Sequence, residues 1–533
     1  MFGLAFAIVF LLTATFAVLT SCGHAALGCN EQERQALLRI KGSFKDSSWF
    51  SSWEGSSCCQ WKGVDCNNLT GHVVKLDLRN PCYPLSHEEK LQLNCKFYDY
   101  VLKAQQVHPS ILELKYLTYL DLSGNKFHNS SIPASIQTLQ HLQALYLSDS
   151  HFSGRIPYNL GNLTKLLILD LSFNALYADD FYWISQLSSL QYLYMSDVYL
   201  GKAQNLLQSL DMLPSLIQLE LINCGLDKLH THKHVSTTNL SRLEYLYLTE
   251  NGLQTPFVDA FQNMTSIAVI DLSHNNLNST PFWLGTSANL VCLFLDSNAL
   301  YGSLPSALQN LTSLVYLGLS QNKFHSVPGW LGELKGLQYP SLSGNDVNHI
   351  EGSLASLLGN CCHLQQLDMS RNKVQSDALG NHIQSKCIRH DLMYLDLSHN
   401  ECNGHLPPWL GQQKNLSSLI MTDSKLVGSL PCGIITKLVD LKILVLSNNN
   451  FTGSLPDCIG ELVSLNILVL SSNHFDGVIP RSLVQLVSLT DLDLSRNSLN
   501  GTIPQNIGQL QNLSTLYLSE NKLYGNIPVL VSF

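Results

Sequence analysis

The sequence predicts an α/β solenoid: a curved coil of repeats with a parallel β-sheet on its concave face, short helices or 3₁₀ turns on its convex side, and a disulfide-stapled N-terminal cap. Three observations carry this. The frame L-x-x-L-x-L-x-x-N recurs from residue 117 to the end of the chain. A second submotif, L/F-x-G-x-I/L-P, follows it in many copies. Cysteines and tryptophans cluster ahead of the first clear copy.

The frame is read directly. LTYLDLSGN ends at Asn125, LLILDLSFN at Asn174, IAVIDLSHN at Asn275, LVYLGLSQN at Asn322, LMYLDLSHN at Asn400, LTDLDLSRN at Asn497 and LSTLYLSEN at Asn521. Its final position falls at 125, 150, 174, 198, 224, 251, 275, 298, 322, 345, 372, 400, 424, 449, 473, 497 and 521, spaced by 23 to 28 residues and most often by 24. Thirteen of these 17 positions are Asn; the others are Ser150, Val198, Cys224 and Ser424. A degenerate first copy, VVKLDLRNP, occupies 73–81. Repetition at such a period calls for a stacked, quasi-one-dimensional fold. Along x-L-x-L-x, alternate side chains point to opposite faces, so Leu120 and Leu122 turn inward while Tyr119, Asp121 and Ser123 face out. One copy cannot bury its leucines alone, so stacked copies must share an elongated core. The recurring Asn can satisfy main-chain groups where the chain leaves the strand.

The second submotif appears at Gly154–Pro157, Gly302–Pro305, Gly428–Pro431, Gly453–Pro456, Gly477–Pro480, Gly501–Pro504 and Gly525–Pro528. Glycine permits a tight bend, and proline fixes φ where a short convex turn begins. Upstream of the repeats, Asn30 can cap a helix, with Glu33 three residues on completing a capping box. Leu37, Leu38, Ile40 and Phe44 give that helix an apolar side, and Trp53, Cys58, Cys59, Trp61, Gly63, Val64 and Cys66 follow. An open solenoid exposes its first leucine layer, so a stapled cap is expected here.

The 24-residue L-x-G-x-I-P repeat over about 73–528 resembles the plant extracellular leucine-rich repeat, which implies a second short strand and a superhelical twist. The string C-x-x-x-E-R-x-A-L-L…W…C-C-x-W-x-G-V-x-C resembles the plant leucine-rich-repeat N-terminal domain, which implies the pairs Cys29–Cys58 and Cys59–Cys66. Together they resemble plant receptor-like proteins, particularly the kind that perceives fungal xylanase. The expected organisation is a signal peptide at 1–25, a cap at 26–70, a first degenerate strand at 71–81, an elaborated loop at 82–110 and about 17 repeats over 111–533. Cys82 and Cys95 can staple the loop, Cys432 and Cys458 lie in corresponding turns of adjacent repeats, and Cys362 can pair with Cys387.

Composition narrows the function. Hydrophobic residues make up 45% and charged residues 13% of the chain, which excludes disorder. Net charge is −9 without a basic stripe, so no nucleic-acid footprint is present. The apolar opening MFGLAFAIVFLLTATFAVLT reads as a secretory signal, a membrane anchor being the alternative. Fourteen cysteines remain after Cys22, which suits an oxidising compartment. Eleven Asn-x-Ser/Thr sequons, at Asn68, Asn129, Asn162, Asn239, Asn263, Asn278, Asn310, Asn415, Asn450, Asn500 and Asn512, suit a glycosylated surface protein.

Binding in a solenoid uses the surface its repeats present. Outward strand positions carry Tyr119, Tyr146, Tyr192, Tyr194, Tyr245, Tyr247, Phe294, Tyr316 and Tyr339, joined by Asp121, Asp149, Asp197, Glu220, Glu250 and Asp296. Aromatics anchor interfaces at low entropic cost. Past residue 440 the same positions turn to Ile443, Val445, Ile467 and Val469, with Asp491, Asp493 and Tyr517 as exceptions. The ligand patch is therefore expected between residues 119 and 340. Other motifs carry no chemistry. Arg389-His390-Asp391-Leu392 leads straight into a repeat strand, without the glycine loop or D-F-G of a kinase. His230, His232 and His234 lack further ligands at metal spacing. Cys361-Cys362 suits a disulfide or core packing better than redox chemistry.

The expectation is a non-enzymatic chain with no cofactor and no metal. It is the extracellular ligand-recognition region of a receptor-like protein, in defence or development, acting through partner kinases. Its ligand is an extracellular protein, peptide or glycan, and its place is the secretory pathway, then the plasma membrane or the apoplast. A secreted inhibitor of a pathogen cell-wall hydrolase, or the ectodomain of a receptor kinase, is the alternative. Ending at Phe533 without a C-terminal cysteine cap or membrane helix, the sequence suggests a truncated receptor or, next, a secreted decoy.

Overall fold

The computed structural model describes residues 29–45, 48–83, 101–229, 240–381 and 391–528. The expected signal peptide, Cys95, Cys387, Asn239, the histidines at 230–234, and Arg389 with His390 all lie outside these residues. The chain divides into two compact units, Met1–Asn251 and Gly252–Phe533.

In the first unit, strand Val73–Asp77 pairs in parallel with Tyr119–Asp121. The ladder continues through Ala144–Tyr146, Ile168–Asp170, Tyr192–Tyr194, Gln218–Glu220 and Tyr245–Tyr247. Pairing is in repeat register throughout, Leu120 opposite Leu145 and Leu145 opposite Leu169. In the second unit the strands run in parallel from Val269–Asp271 through Cys292–Phe294, Tyr316–Gly318, Tyr339–Ser341 and Gln366–Asp368. They go on through Tyr394–Asp396, Ser418–Ile420, Ile443–Val445, Ile467–Val469 and Asp491–Asp493 to Thr515–Tyr517. Most strands are three residues long, one inward residue flanked by two outward ones, and the second inward residue of each frame lies just beyond the strand. Leu120, Leu122, Leu145, Leu169 and Leu193 are at most 1% exposed.

Short second strands appear where the resemblance implied them, as in Ser153–Arg155 with Ala175–Tyr177 and Asn450–Ser454 with His474–Asp476. Gly154 and Gly302 stand there at φ +90° and +91°, and a Cβ on either would meet nothing within 4 Å. Backbone conformation, not space, requires glycine at these two sites. Pro157, Pro305, Pro456 and Pro480 each open a 3₁₀ turn on the convex side. Buried phenylalanines of adjacent coils stack behind the sheet, Phe127 on Phe152 and Phe451 on Phe475.

Asn side chains tie each coil to the one before it. Asn174 Nδ2 donates to Leu171 and Ser172 carbonyls of its own coil and, at 2.8 Å, to Leu147 of the preceding one. Its Oδ1 accepts from the N–H groups of Ser150 and Phe152, also in the preceding coil. Asn251, Asn322, Asn400 and Asn473 repeat the donor pattern. Where the sequence departs from Asn, Ser150 Oγ, Ser424 Oγ and Cys224 Sγ still donate backward to Leu122, Leu397 and Met195 carbonyls. Val198 alone has no side-chain donor to offer. The residue before each of the 17 rungs, from Gly124 to Glu520, holds positive φ, and only Gly124 and Gly344 among them are glycines. The rung side chain closes that left-handed turn.

The cap packs on the first strand. Helix α1 (Glu31–Ser43) begins at Asn30, whose side chain accepts from the Gln32 and Glu33 N–H groups. The expected capping box is not formed. Glu33 is 5% exposed and accepts instead from Val73 N–H at 2.8 Å and pairs with His72 Nδ1 at 3.1 Å. The strand's first N–H has no sheet partner, and the carboxylate satisfies it. Disulfides join Cys29 to Cys58 and Cys59 to Cys66. Val64–Cys66 adds an antiparallel strand to Val73–Asp77. Trp53 stacks on Trp61, and their indole N–H groups donate to the Lys62 and Glu54 carbonyls.

The expected loop at 82–110 is shorter than its sequence implied, because the coil resumes at Val101. Leu102 N–H donates to Asn125 Oδ1, Ala104 N–H to the Lys126 carbonyl, and Pro109–Glu113 forms the convex turn. Buried Leu102, Ile111 and Leu114 supply the inward layer without the L-x-x-L-x-L spelling. Cys82 is disulfide-bonded, its partner lying outside the described residues, as is Cys362. Cys432 pairs with Cys458 across adjacent coils.

Replacing Asn174 with Ala orphans two N–H groups and a buried carbonyl of the neighbouring coil. Urea denaturation should register a loss of about 1–3 kcal/mol, against less than about 0.5 kcal/mol for the surface change Lys165→Ala.

Candidate ligand-binding surface

Each concave strand presents two outward positions flanking its inward leucine. In the first unit the second of these positions alternates in chemistry from coil to coil: Asp121 lies opposite Tyr146, Tyr146 opposite Asp170, Asp170 opposite Tyr194, Tyr194 opposite Glu220 and Glu220 opposite Tyr247. Strand spacing puts successive members about 4.8 Å apart. The other position carries Tyr119, Tyr192 and Tyr245. Phe294, Tyr316 and Tyr339 belong to the second unit, where Tyr316 and Tyr339 stack at 4.5 Å. The nine aromatics thus divide between two units, and all nine are half-buried.

Several outward residues are less open than alternation alone suggests. Asp121 is 3% and Ser123 4% exposed. Tyr119 Oη donates to Asp121 Oδ2 at 3.0 Å, and Asp121 Oδ1 accepts from Ser123 N–H. The Lys75 ammonium stands 5.3 Å from the Tyr119 ring centre. Asp149, Asp197 and Glu250 are not on strands: each occupies the left-handed turn beyond the strand, at φ 46°, 62° and 58°. The acidic members of the concave strands are Asp77, Asp121, Asp170 and Glu220 here and Asp271, Asp368, Asp396, Asp491 and Asp493 in the second unit. Asp170 and Asp271 were readable in the LDLS strings, in register with Asp121, once strand position was separated from turn position.

Burial shapes the electrostatics of this row. Desolvation pushes Asp121 up to about 6, against the hydrogen bonds from Ser123. Glu220 rises to about 7 and Asp271 to about 6 for the same first reason. Asp170 is raised as well. The phenols of Tyr119, Tyr146 and Tyr194 move up through burial and then through neighbouring carboxylates. Such a surface offers aromatic faces and poorly solvated acceptors, a combination suited to ligand groups that carry hydrogen-bond donors or positive charge.

Cys29, Cys58 and Cys59 are the metal-ligand cluster that proximity picks out among the described residues, and their sulfurs are engaged in the two cap disulfides. Among the described residues no helix is long and apolar enough to cross a membrane. Asn68, Asn129, Asn162, Asn263, Asn278, Asn310, Asn415, Asn450, Asn500 and Asn512 all fall outside the concave strands, and all but Asn415 are exposed.

Family models agree with this architecture. Residues 198–429 match the Leucine-rich repeat region, 30–67 the Leucine rich repeat N-terminal domain, and 464–523, 116–139, 141–163 and 440–462 the Leucine rich repeat. Receptor-like protein EIX1 of Solanum lycopersicum is 37% identical over 262 residues, 47% of this chain and 24% of that protein. Receptor-like protein 41 of Arabidopsis thaliana is 27% identical over 487 residues, covering 80% of this chain and 50% of its own length. The chain thus spans about a quarter to a half of these relatives. The plant peptide hormone receptor RGFR1 in complex with RGF2 superposes with TM-score 0.66 at 30% identity, covering 79% of this chain and 66% of that one. The HAESA ectodomain of Arabidopsis, in complex with an IDA peptide hormone, superposes with TM-score 0.62 at 28% identity over 93% of this chain and 87% of its own.

The raised carboxyls give a pH signature of stability. Asp121 holds its proton more tightly folded than unfolded, where the value is 3.8. Its charged form therefore opposes folding as pH rises through the interval from about 4 to about 6. Asp121→Asn keeps an acceptor for Ser123, so urea midpoints of this variant should decline less steeply between pH 4 and 7 than those of the parent. Equal slopes would refute the assignment. The chain belongs to the leucine-rich-repeat proteins, and its homologues are the plant receptor-like proteins.

Proposed function

We propose that the chain is the extracellular ligand-recognition region of a plant receptor-like protein, acting in defence or development and signalling through partner kinases. The observation that carries this reading is the alternating row of half-buried aromatics and desolvated carboxylates from Asp121 to Tyr247. A surface made only to cover leucines has no need of it. Tyrosines in this state give up little conformational freedom on contact and bring both a ring face and a hydroxyl.

Similarity supports the same reading. RGFR1 is a plant peptide hormone receptor, HAESA is a receptor kinase held with the IDA peptide hormone, and one HAESA complex also holds the co-receptor SERK1. A peptide or small protein as ligand, with a kinase co-receptor beside it, follows by analogy. The sequons among the described residues lie away from the concave strands, so glycans on them leave that face open. Secretion and an extracellular setting accord with the disulfides. The principal contact residues are Tyr146, Tyr192, Tyr194, Tyr245 and Tyr247, with Tyr119 beside them; Phe294, Tyr316 and Tyr339 form a second cluster.

A panel of microbial secreted proteins and plant secreted peptides, passed over the immobilised glycosylated chain, tests this. Any ligand captured should bind at least about tenfold more weakly when Tyr192, Tyr194, Tyr245 and Tyr247 are changed to Ala, with the thermal melt and far-ultraviolet dichroism of a folded protein. Unaltered affinity would remove the concave row from the site.

A further inference from the structure

Away from the concave sheet, the flank of the first unit carries a second surface feature at the two rungs where the asparagine ladder fails in succession. Val198 and Cys224 occupy those rungs, and Tyr199 and Gly225 follow them directly. Tyr199 is held in the second-strand position: its N–H donates to the Leu176 carbonyl at 3.0 Å and its carbonyl accepts from Ala178 N–H at 3.1 Å. It forms an isolated parallel bridge with Tyr177 on the adjacent coil. Both side chains emerge to solvent, at 38% for Tyr177 and 43% for Tyr199.

Glycine backbone supports the Tyr199 ring from within. A Cβ on Gly225 would stand 2.9 Å from Cε2 of the ring, and one on Gly201 would stand 2.8 Å from its hydroxyl. Gly225 also holds φ +70°, so the left-handed turn and the close approach both demand glycine. One ring edge stands over Gly225 and the hydroxyl end over Gly201, so the side chain rests against two coils while remaining 43% exposed. Tyr177, Tyr199, Ala175, Leu176, Asp197 and Lys202 line an open cleft of about 410 Å³, within the range of small-ligand sites of about 300–1,000 Å³. Asp197 is oriented by Asn223, whose Nδ2 donates to Oδ1 at 2.7 Å.

We propose that this cleft binds a neutral oligosaccharide, one sugar ring lying on the outer face of Tyr199 with its hydroxyls shared between Asp197 and Lys202. The electron-rich face of an aromatic ring attracts the weakly positive C–H groups that line one side of a pyranose. One carboxylate and one ammonium supply an acceptor and a donor, and their charges cancel. An anionic ligand would face Asp197 and a cationic one Lys202. The cleft is also open, whereas an aliphatic or aromatic peptide anchor fills an enclosed pocket. The site is distinct from the concave row and does not depend on it.

Saturation-transfer nuclear magnetic resonance on the intact glycosylated chain, with soluble β-1,4-linked oligomers of glucose, xylose and N-acetylglucosamine as probes, decides the matter. At least one oligomer should receive transfer, concentrated on the C–H protons of one ring face. Tyr199→Ala should weaken binding by about tenfold, Lys202→Met should weaken it less, and Tyr199→Phe should retain it. The concave change Tyr192→Ala with Tyr194→Ala should leave sugar binding intact, which separates failure of this site from failure of the receptor reading. Thermal melts of each variant establish that the fold persists. Absence of transfer from all three oligomers to the folded parent would overturn the proposal. So would undiminished transfer in Tyr199→Ala, or loss of a captured protein partner, with no sugar effect, on changing Tyr177 and Tyr199.

Discussion

The hydrogen bonds that cross from one coil to the next are the constraint on which the rest of this structure depends. A coil of two dozen residues has leucines on one side only and nothing of its own to cover them. Parallel neighbours cover them, as Leu145 does between Leu120 and Leu169. The asparagine rungs then fix how those neighbours sit, because each amide bonds both its own turn and the turn before. A buried N–H or carbonyl without a partner costs more than an ordinary hydrogen bond gains, which is why Ser and Cys still donate backward where Asn is missing. The sheet face, its register and the spacing of its side chains follow from this arrangement.

Much of that was legible in the residues. Leucine spacing gave the strands, their parallel stacking and the inward layer; Gly-x-Ile-Pro gave the second strand's bend and the start of each convex turn; the spelling of the cap gave its two disulfides through resemblance. What was not legible has physical causes. The left-handed residue before each rung is variously Gly, Asp, Asn, Ser, Phe, His, Gln, Arg or Glu, so residue type is a poor guide to a conformation that the rung imposes. Glu33 follows Asn30 at capping-box spacing, but a strand N–H at Val73, distant in sequence, claims its carboxylate. Residues 101–113 rejoin the coil with inward groups at irregular spacing, invisible to a frame search.

The candidate site was only partly readable for the same reason. Alternation identifies which side chains leave the core, and it found the tyrosines. It does not say which of them are covered by their neighbours, nor that Asp149, Asp197 and Glu250 have already entered the turn. Registering the strands against each other reveals an alternation of acid and aromatic across coils that no single repeat displays. The flank cleft likewise arises between coils, from Tyr177 of one and Tyr199 of the next. Both candidate surfaces are properties of pairs of repeats.

If coils are stable only against their neighbours, damage must stay local. Leu419 is 1% exposed, between Leu395 and Leu444 in the second unit. Hydrogen exchange on Leu419→Asp is the most direct measurement. Amide protection should fall in Tyr394–Asp396, Ser418–Ile420 and Ile443–Val445 and stay at the parent level in Tyr119–Asp121. Loss of protection spread evenly over every coil, or confined to the altered strand alone, would contradict the account.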